Sequence, residues 1–258
     1  MVLPNIWDVL GARLLEQLGY TAVATASASV AYSHGYHDGQ KMPFEKVRTL
    51  LCQIVDNVNV PVTADIESAY ASNEEDLKHN TRLLLTTGIS GINIEDTNHS
   101  NNTLYTVAEQ SARIRLIKAV SDEVGVPLFI NARTDVLLQQ DNHQTTNAKL
   151  AALLKRGLAY KAAGADCFYP IGLREKEIMQ ALVQQLEMPV NILALPGVPD
   201  LNTLRDIGIA RVSLGPGFLK IAMRAMKSFA EALQQDEGLD TLFTNEVTSD
   251  YLRSLIKS

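Results

Sequence analysis

The sequence is poor in cysteine: 258 residues hold only Cys52 and Cys167. Two thiols so far apart give neither a disulfide framework nor the ligand spacing of a structural zinc site, and both read as buried side chains. Basic charge is scarce too, with 23 Lys and Arg against 29 Asp and Glu and a formal net charge of −6. Without a basic cluster, the electrostatic footprint of a nucleic-acid binder, or of a protein held on an anionic membrane, is missing. No apolar run approaches the roughly 18 residues that span a bilayer, and the opening "MVLPNIWDVL" lacks the basic and apolar regions of a secretion signal. A cytoplasmic protein with a small-molecule partner is therefore expected. Pro/Ser-rich linkers and low-complexity segments are absent as well, so a single domain is expected over residues 1–258.

What is there is a regular alternation. "TAVATA", "VPVTAD", "SGINIE", "PLFINAR", "DCFYP", "PVNILAL" and "ARVSLG" read as strands, and the opening "VLPN" makes an eighth. The segments between them carry helical spacing, as with Leu77, Leu84 and Leu85, and several end in Gly. Strands that alternate with helices run parallel and are joined by right-handed crossovers. A doubly wound sheet and a closed barrel both satisfy that pattern, but eight strands in about 215 residues favour the (β/α)8 TIM barrel. Two further amphipathic stretches follow at 216–235 and 239–256, the second an extra C-terminal helix that can pack on a neighbouring subunit.

The polar residues at the strand ends carry the chemistry. Strand two ends in "ASAS", strand three in Asp65 and Glu67, strand four in Glu95 and Asp96, and strand five in Arg133, Thr134 and Asp135. In a parallel barrel these converge on the carboxyl-terminal rim, where such barrels hold their active sites. Strand alternation puts Asp65 and Glu67 on one side, and with Glu95 they form an acidic cluster that repels itself unless a cation is present. Oxygen ligands without His or Cys favour magnesium, with manganese as the alternative; acids that merely cap the following helices are the competing reading. Arg133 can bind a substrate carboxylate bidentately or pair with Glu95 or Asp135, and both roles can coexist.

In order along the chain, "NIWDVLGARLLEQLGYTAVATASASVAYSHGYHDG", "ADIESAY", "GISGINIEDT" and "PLFINARTD" resemble the isocitrate lyase and phosphoenolpyruvate mutase superfamily. That resemblance implies a magnesium-binding barrel that passes a 2-oxo or 2-hydroxy acid through an enolate and makes or breaks a C–C or P–C bond. It also implies site roles. Ser27 and Ala28 would hold the substrate carboxylate, Asp38 would stand near the metal and Asp65 would ligate it directly. Glu67 and Glu95 would hold the ion through water, and Arg133 would bind substrate oxygens and stabilise the enolate. A homo-oligomer, dimer or tetramer, with exchanged C-terminal helices is implied as well.

The departures narrow the reaction. Neither cysteine lies in the acid-supplying loop of isocitrate and methylisocitrate lyases, and "TNHSNNTLY" replaces the gating loop whose lysine and asparagine serve the mutase and the phosphonopyruvate hydrolases. C–C cleavage of a small 2-oxo or 2-hydroxy dicarboxylate is the leading expectation. P–C chemistry is second, and a non-catalytic carboxylate binder third. His99 is the expected proton donor and Asn98 a substrate contact, with Asn101 and Asn102 as further polar groups; a plain surface loop is the alternative. His34 or His37 can line the site, whereas His79 and His143 read as surface residues. Tyr32 and Tyr169 can pack over the mouth. The turn at 213–217 can either offer backbone N–H groups to an anion or serve as a structural turn.

Overall fold

The computed structural model describes residues 1–139 and 145–256; His143 lies outside them. The opening strand is split by Pro4 into β1 (Val2–Leu3) and β2 (Asn5–Ile6). After α1 (Val9–Gln17) come β3 (Val23–Thr25), α2 (Ser27–Ser33), α3 (Phe44–Asn57), β4 (Val62–Asp65), α4 (Glu74–Leu85) and β5 (Gly91–Glu95). A small antiparallel hairpin, β6 (Thr97–Asn98) and β7 (Thr103–Leu104), precedes α5 (Val107–Val124), β8 (Phe129–Thr134), α6 (Val136–Gln139), α7 (Thr146–Ala162) and β9 (Cys167–Pro170). The chain goes on through α8 (Lys176–Leu186), β10 (Asn191–Leu193), α9 (Leu201–Ile207), β11 (Arg211–Ser213) and α10 (Gly217–Leu233) to α11 (Leu239–Phe243) and α12 (Ser249–Leu255).

The parallel strands follow one another around a ring. β2, β3, β4, β5, β8 and β9 pair in that order, a Phe168–Val190 bridge leads toward β10, and β10 pairs with β11. β11 then pairs with β1, so the split at Pro4 lets one strand serve both neighbours and close the barrel. All eight strands expected from the sequence are present in this α/β fold.

Helix ends follow local chemistry. Asp8, Asn73 and Asp200 cap α1, α4 and α9 through side-chain oxygens, Thr106 and Glu109 form a reciprocal capping box on α5, and Gly125 and Gly208 take the left-handed conformation that ends α5 and α9. Leu77, Leu84 and Leu85 are buried on α4, as their spacing predicts. The core lies between the strands and this helical layer and includes Ile54, Ile92, Ile94, Ile130 and Phe168. α10 differs: none of its residues is buried, and Ile221, Met223 and Met226 stand exposed. The 239–256 stretch forms two short helices instead of one, and α12 packs on α1 with Leu255 buried and Arg13 Nε donating to its carbonyl at 2.6 Å.

Candidate functional site

The strand ends surround two adjoining cavities of about 290 and 560 Å³ whose shared lining includes Ser27, Asp38 and Arg133. The inner one also touches Ala28, Asp65, Asn93 and Tyr169, and the outer one Glu67, Glu95 and His99.

At the inner wall, Ser27 opens α2 and donates from its backbone N and its Oγ to Asp65 Oδ2, at 3.1 and 2.9 Å. Asn93 Nδ2 donates to Asp65 Oδ1 at 2.8 Å, and Asn131 Nδ2 to Asn93 Oδ1 at 2.9 Å. Asp65 is thereby aimed by the start of α2 and by Asn93 on β5, which Asn131 on β8 holds in turn. Glu67 reaches the rim by another route than strand alternation. β4 ends at Asp65, and Glu67 sits in a left-handed turn with φ 52°, as do Ala69 and Tyr70 at 64° and 52°. These are costly conformations for residues with a Cβ. The turn directs the Glu67 carboxylate to the backbone N of Gln40 at 2.6 Å and to the hydroxyl of Tyr70 at 3.0 Å, both donating.

Glu95 is the hub of the outer wall. Its Oε1 lies 2.6 Å from His99 Nε2, and its Oε2 2.7 Å from Arg133 NH1. Glu67 Oε2 is 3.6 Å from the same imidazole nitrogen. Arg133 is fixed from its other edge by Asp135, Nε donating to Oδ1 at 2.6 Å, and Thr97 donates to Asp135 Oδ2 at 2.6 Å. Asp96 faces the opposite way. It is buried against Arg156 at 2.9 Å and the Tyr160 hydroxyl at 2.7 Å, a mounting point between the strands and α7 that takes no part in the cavities.

Burial and crowding push the acids up. Glu67 is raised to about 7, by lost hydration first and then by the charges of Asp38, Asp65 and Glu95. Glu95 is raised by burial against the pull of Arg133, and Asp38 by burial and the Asp65 charge. For His99, burial opposes the charged form, but the hydrogen bond to Glu95 and the Glu95 and Glu67 charges outweigh it and raise the pKa. A pocket whose carboxylates hold protons this tightly fits a cation. One ligand atom each from Glu67, Glu95 and His99 can be found within 4.8 Å of one another. An imidazole thus stands beside the oxygen ligands expected from the sequence.

Other expectations sort themselves by position. Tyr32 and Tyr169 line the inner cavity and Asn102 the outer one. Asn98 touches neither cavity: its Oδ1 accepts from Ser100 N and Oγ at 3.0 and 2.7 Å, and Asn101 closes the same hairpin through Thr103. His34 turns back to the Val30 carbonyl at 2.9 Å, and exposed His37 and His79 line neither cavity. Cys167 is buried, whereas Cys52 is only half-buried. In the 213–217 turn, the N–H groups of Leu214 and Gly215 both donate to Asn5 Oδ1, at 2.8 and 3.1 Å, so they serve the turn.

Sequence reasoning missed Lys41, which lines the outer cavity beside Gly39, and the inward asparagines. Asn93 and Asn131 each sit two residues before a rim residue, Glu95 and Arg133, so strand period marked them as facing the same interior. Lys41 had no such signal, because its loop is brought over from before α3. A Cβ at Gly39 would stand 3.4 Å from His99 Nδ1, and with φ 89° that position suits glycine, letting the two loops meet.

Residues 1–234 match the model of a family described as phosphoenolpyruvate phosphomutase. An uncharacterised protein of Mycobacterium tuberculosis is 32% identical over 239 residues, covering 92% of this chain and 86% of that protein. The 2-methylisocitrate lyase of Escherichia coli is 26% identical over 230 residues, 85% of this chain and 74% of the lyase. A solved candidate phosphonomutase of Burkholderia cenocepacia superposes with a TM-score of 0.85 at 37% identity, covering 89% of this chain and 93% of that one.

Proposed function

The chain belongs to the phosphoenolpyruvate phosphomutase family, and we propose that within it this protein is a magnesium-dependent lyase that cleaves a C–C bond in a small 2-oxo or 2-hydroxy dicarboxylate through an enolate. One observation carries the reading. Arg133, held by Glu95 and Asp135, stands where the two cavities join, with Asp65 on one side and the Glu67, Glu95 and His99 group on the other. Likeness to a named C–C lyase supports it.

Asp65, Glu67, Glu95 and Asp38 would hold the ion, with His99 adjacent; manganese suits such a mixed set as well as magnesium does. When bound, a divalent cation supplies Lewis-acid polarisation of the substrate's 2-oxygen. The chain's own residues do the rest. Ser27, at the start of α2, and Ala28 would receive the substrate carboxylate through N–H and hydroxyl groups. Arg133 would meet the charge that develops on the enolate, already oriented and needing no reorganisation as the bond breaks. His99, its pKa raised by Glu95 and Glu67, keeps a proton available to quench the enolate carbon.

Lys41 favours a second reading. The hairpin at 97–104 lacks the lysine of P–C enzymes, but Lys41 brings an ammonium to the same cavity from another loop. A phosphonopyruvate-type substrate is therefore kept as the alternative. Incubation with oxaloacetate, alkylated malates, methylisocitrate and phosphonopyruvate, with and without magnesium, separates the two. Metal-dependent 2-oxo acid release without phosphate supports the lyase, and phosphate release supports P–C chemistry. An Asp65→Ala variant that kept full, metal-dependent activity would sink both, and silence across the panel would leave a substrate outside it or a carboxylate-binding barrel.

A further inference from the structure

The far wall of the inner cavity carries a second guanidinium that the site described above does not use. Arg211 opens β11, is only 8% exposed, and lines this cavity with Asn5, Ser213, Gly215 and Lys220. Its Nε donates to Ser213 Oγ at 3.2 Å. That hydroxyl is held by Asn191, accepting from Nδ2 at 3.0 Å and donating to Oδ1 at 3.1 Å. The side chain is thus turned along the strand toward the rim end of the barrel.

What it lacks, among the described residues, is a direct ion pair, although the charge of Asp65 reaches it across the cavity. Two other arginines at this end are matched, Arg133 to Glu95 and Asp135 and Arg156 to Asp96, whereas part-buried Arg113 donates to the Ser68 carbonyl and lines neither cavity. Among the described residues no carboxylate lies within 4.0 Å of the Arg211 guanidinium in an ion pair. An arginine cannot shed its proton to escape burial, so its charge stays in the wall at a cost that only a counter-ion removes. A second unmet group lies nearby, since Thr63 Oγ1, on the same lining, is buried without a hydrogen-bond partner. Lys220, in the first turns of α10, adds a cation at the exposed edge of that wall.

We infer that Arg211, with Lys220 at its outer edge, forms an anion subsite that takes the remote carboxylate of the substrate and makes the cavity selective for dicarboxylates over monocarboxylates. The inference rests on the proposed function in one respect: the 2-oxo or 2-hydroxy acid end must occupy the opposite wall, at Ser27, Asp65 and Arg133. A planar fork across the cavity from a second planar fork is suited to a molecule with a carboxylate at each end.

Malate and lactate share the 2-hydroxy acid and differ by the remote carboxylate, so titration calorimetry with racemic malate and racemic lactate in saturating magnesium isolates the subsite. Wild-type protein is expected to bind malate at least about tenfold more tightly than lactate. Arg211→Met should weaken malate by about 10- to 100-fold and change lactate by less than about twofold. Arg211→Lys, which keeps the charge but loses the fork, should fall between, and Lys220→Ala should narrow the preference more modestly. Should Arg211→Met fail to fold, those two variants carry the test. Equal weakening of both ligands, an unchanged preference, or a wild type that does not favour malate overturns the assignment. The two readings fail separately. A malate preference that depends on Arg211 but on neither magnesium nor Asp65 would sink the metal-dependent lyase and leave the subsite. Magnesium-dependent lactate binding with no malate preference would do the reverse.

Discussion

Arg133, near the end of β8, and Asp135, just past it, stand two positions apart and share two hydrogen bonds, Nε to Oδ1 at 2.6 Å and NH2 to Oδ2 at 3.0 Å. The aspartate fixes the plane of the guanidinium, and Glu95 takes its NH1. Arg133→Lys keeps one positive charge and loses the fork, so turnover should drop by about 100-fold or more with the fold intact. Arg133→Met leaves Glu95 buried without its counter-ion and should cost about 3–5 kcal/mol in urea unfolding. Asp135→Asn should reduce turnover less than either, because the charge of Arg133 stays in place and the amide oxygen still accepts one of its two hydrogen bonds, while the amide nitrogen cannot accept the other.

The protonation of Glu67 makes stability depend on pH. Its folded value of about 7 exceeds the ordinary 4.5, so between those values the native state holds a proton that the unfolded chain has released. Stability from this group is complete below about 4.5 and is lost as pH rises through about 7, by at most about 3 kcal/mol. Thermal unfolding in a chelator should therefore give a lower Tm at pH 8 than at pH 5.5, Glu67→Gln should flatten the difference, and added magnesium should recover the loss at pH 8. A Tm that rises with pH in the chelator would contradict the assignment.

His99 should show itself in proton exchange. Oxaloacetate that loses carbon dioxide leaves the enolate of pyruvate, so if His99 delivers the proton there, wild-type protein with magnesium should exchange the methyl protons of pyruvate in deuterated water, followed by NMR. His99→Asn should slow that exchange by about 10²- to 10⁴-fold. Exchange at the wild-type rate would assign the proton to water.

The two thiols should separate cleanly. Burial pushes the Cys167 thiol up to about 12, whereas Cys52 is half-buried on α3. A chromogenic disulfide at neutral pH should label Cys52 in the folded protein and reach Cys167 only on unfolding. Two equally fast reactions would contradict the burial of Cys167.

α10 bears Ile221, Met223 and Met226 on an unburied surface, so a second copy of the chain is the proposed cover. Sedimentation should show a dimer or tetramer, and Met226→Asp should shift it toward monomer with a Tm that falls on dilution. A monodisperse wild-type monomer at micromolar concentration would remove the oligomer from the proposal.

The barrel was legible because its strands announce themselves as apolar runs between helical periods, and "ADIE", "GINIE" and "FINAR" placed their acids and arginine at strand ends. What stayed hidden depends on contacts between distant segments. That Asn98 caps its own hairpin while His99 reaches Glu95 is decided by the β6–β7 turn, not by composition. Glu67 was expected on the correct rim for an incorrect reason, since strand alternation does not operate in a left-handed turn. Nothing in the sequence singles out Arg211, and only the closed barrel shows it lining the cavity with no ion pair among the described residues.

Glu95 and Asp96 are neighbours with unrelated tasks, one turned into the cavities and the other clamped by Arg156 and Tyr160. The pair works as a two-position vernier. Sliding this strand end by one residue would exchange the reagent for its bracket, and the bracket's partners on α7 penalise that slip. An insertion or deletion between Gly91 and Asp96 should therefore be far harder to tolerate than many substitutions there, because the alignment of the chemistry is written in the parity of the chain.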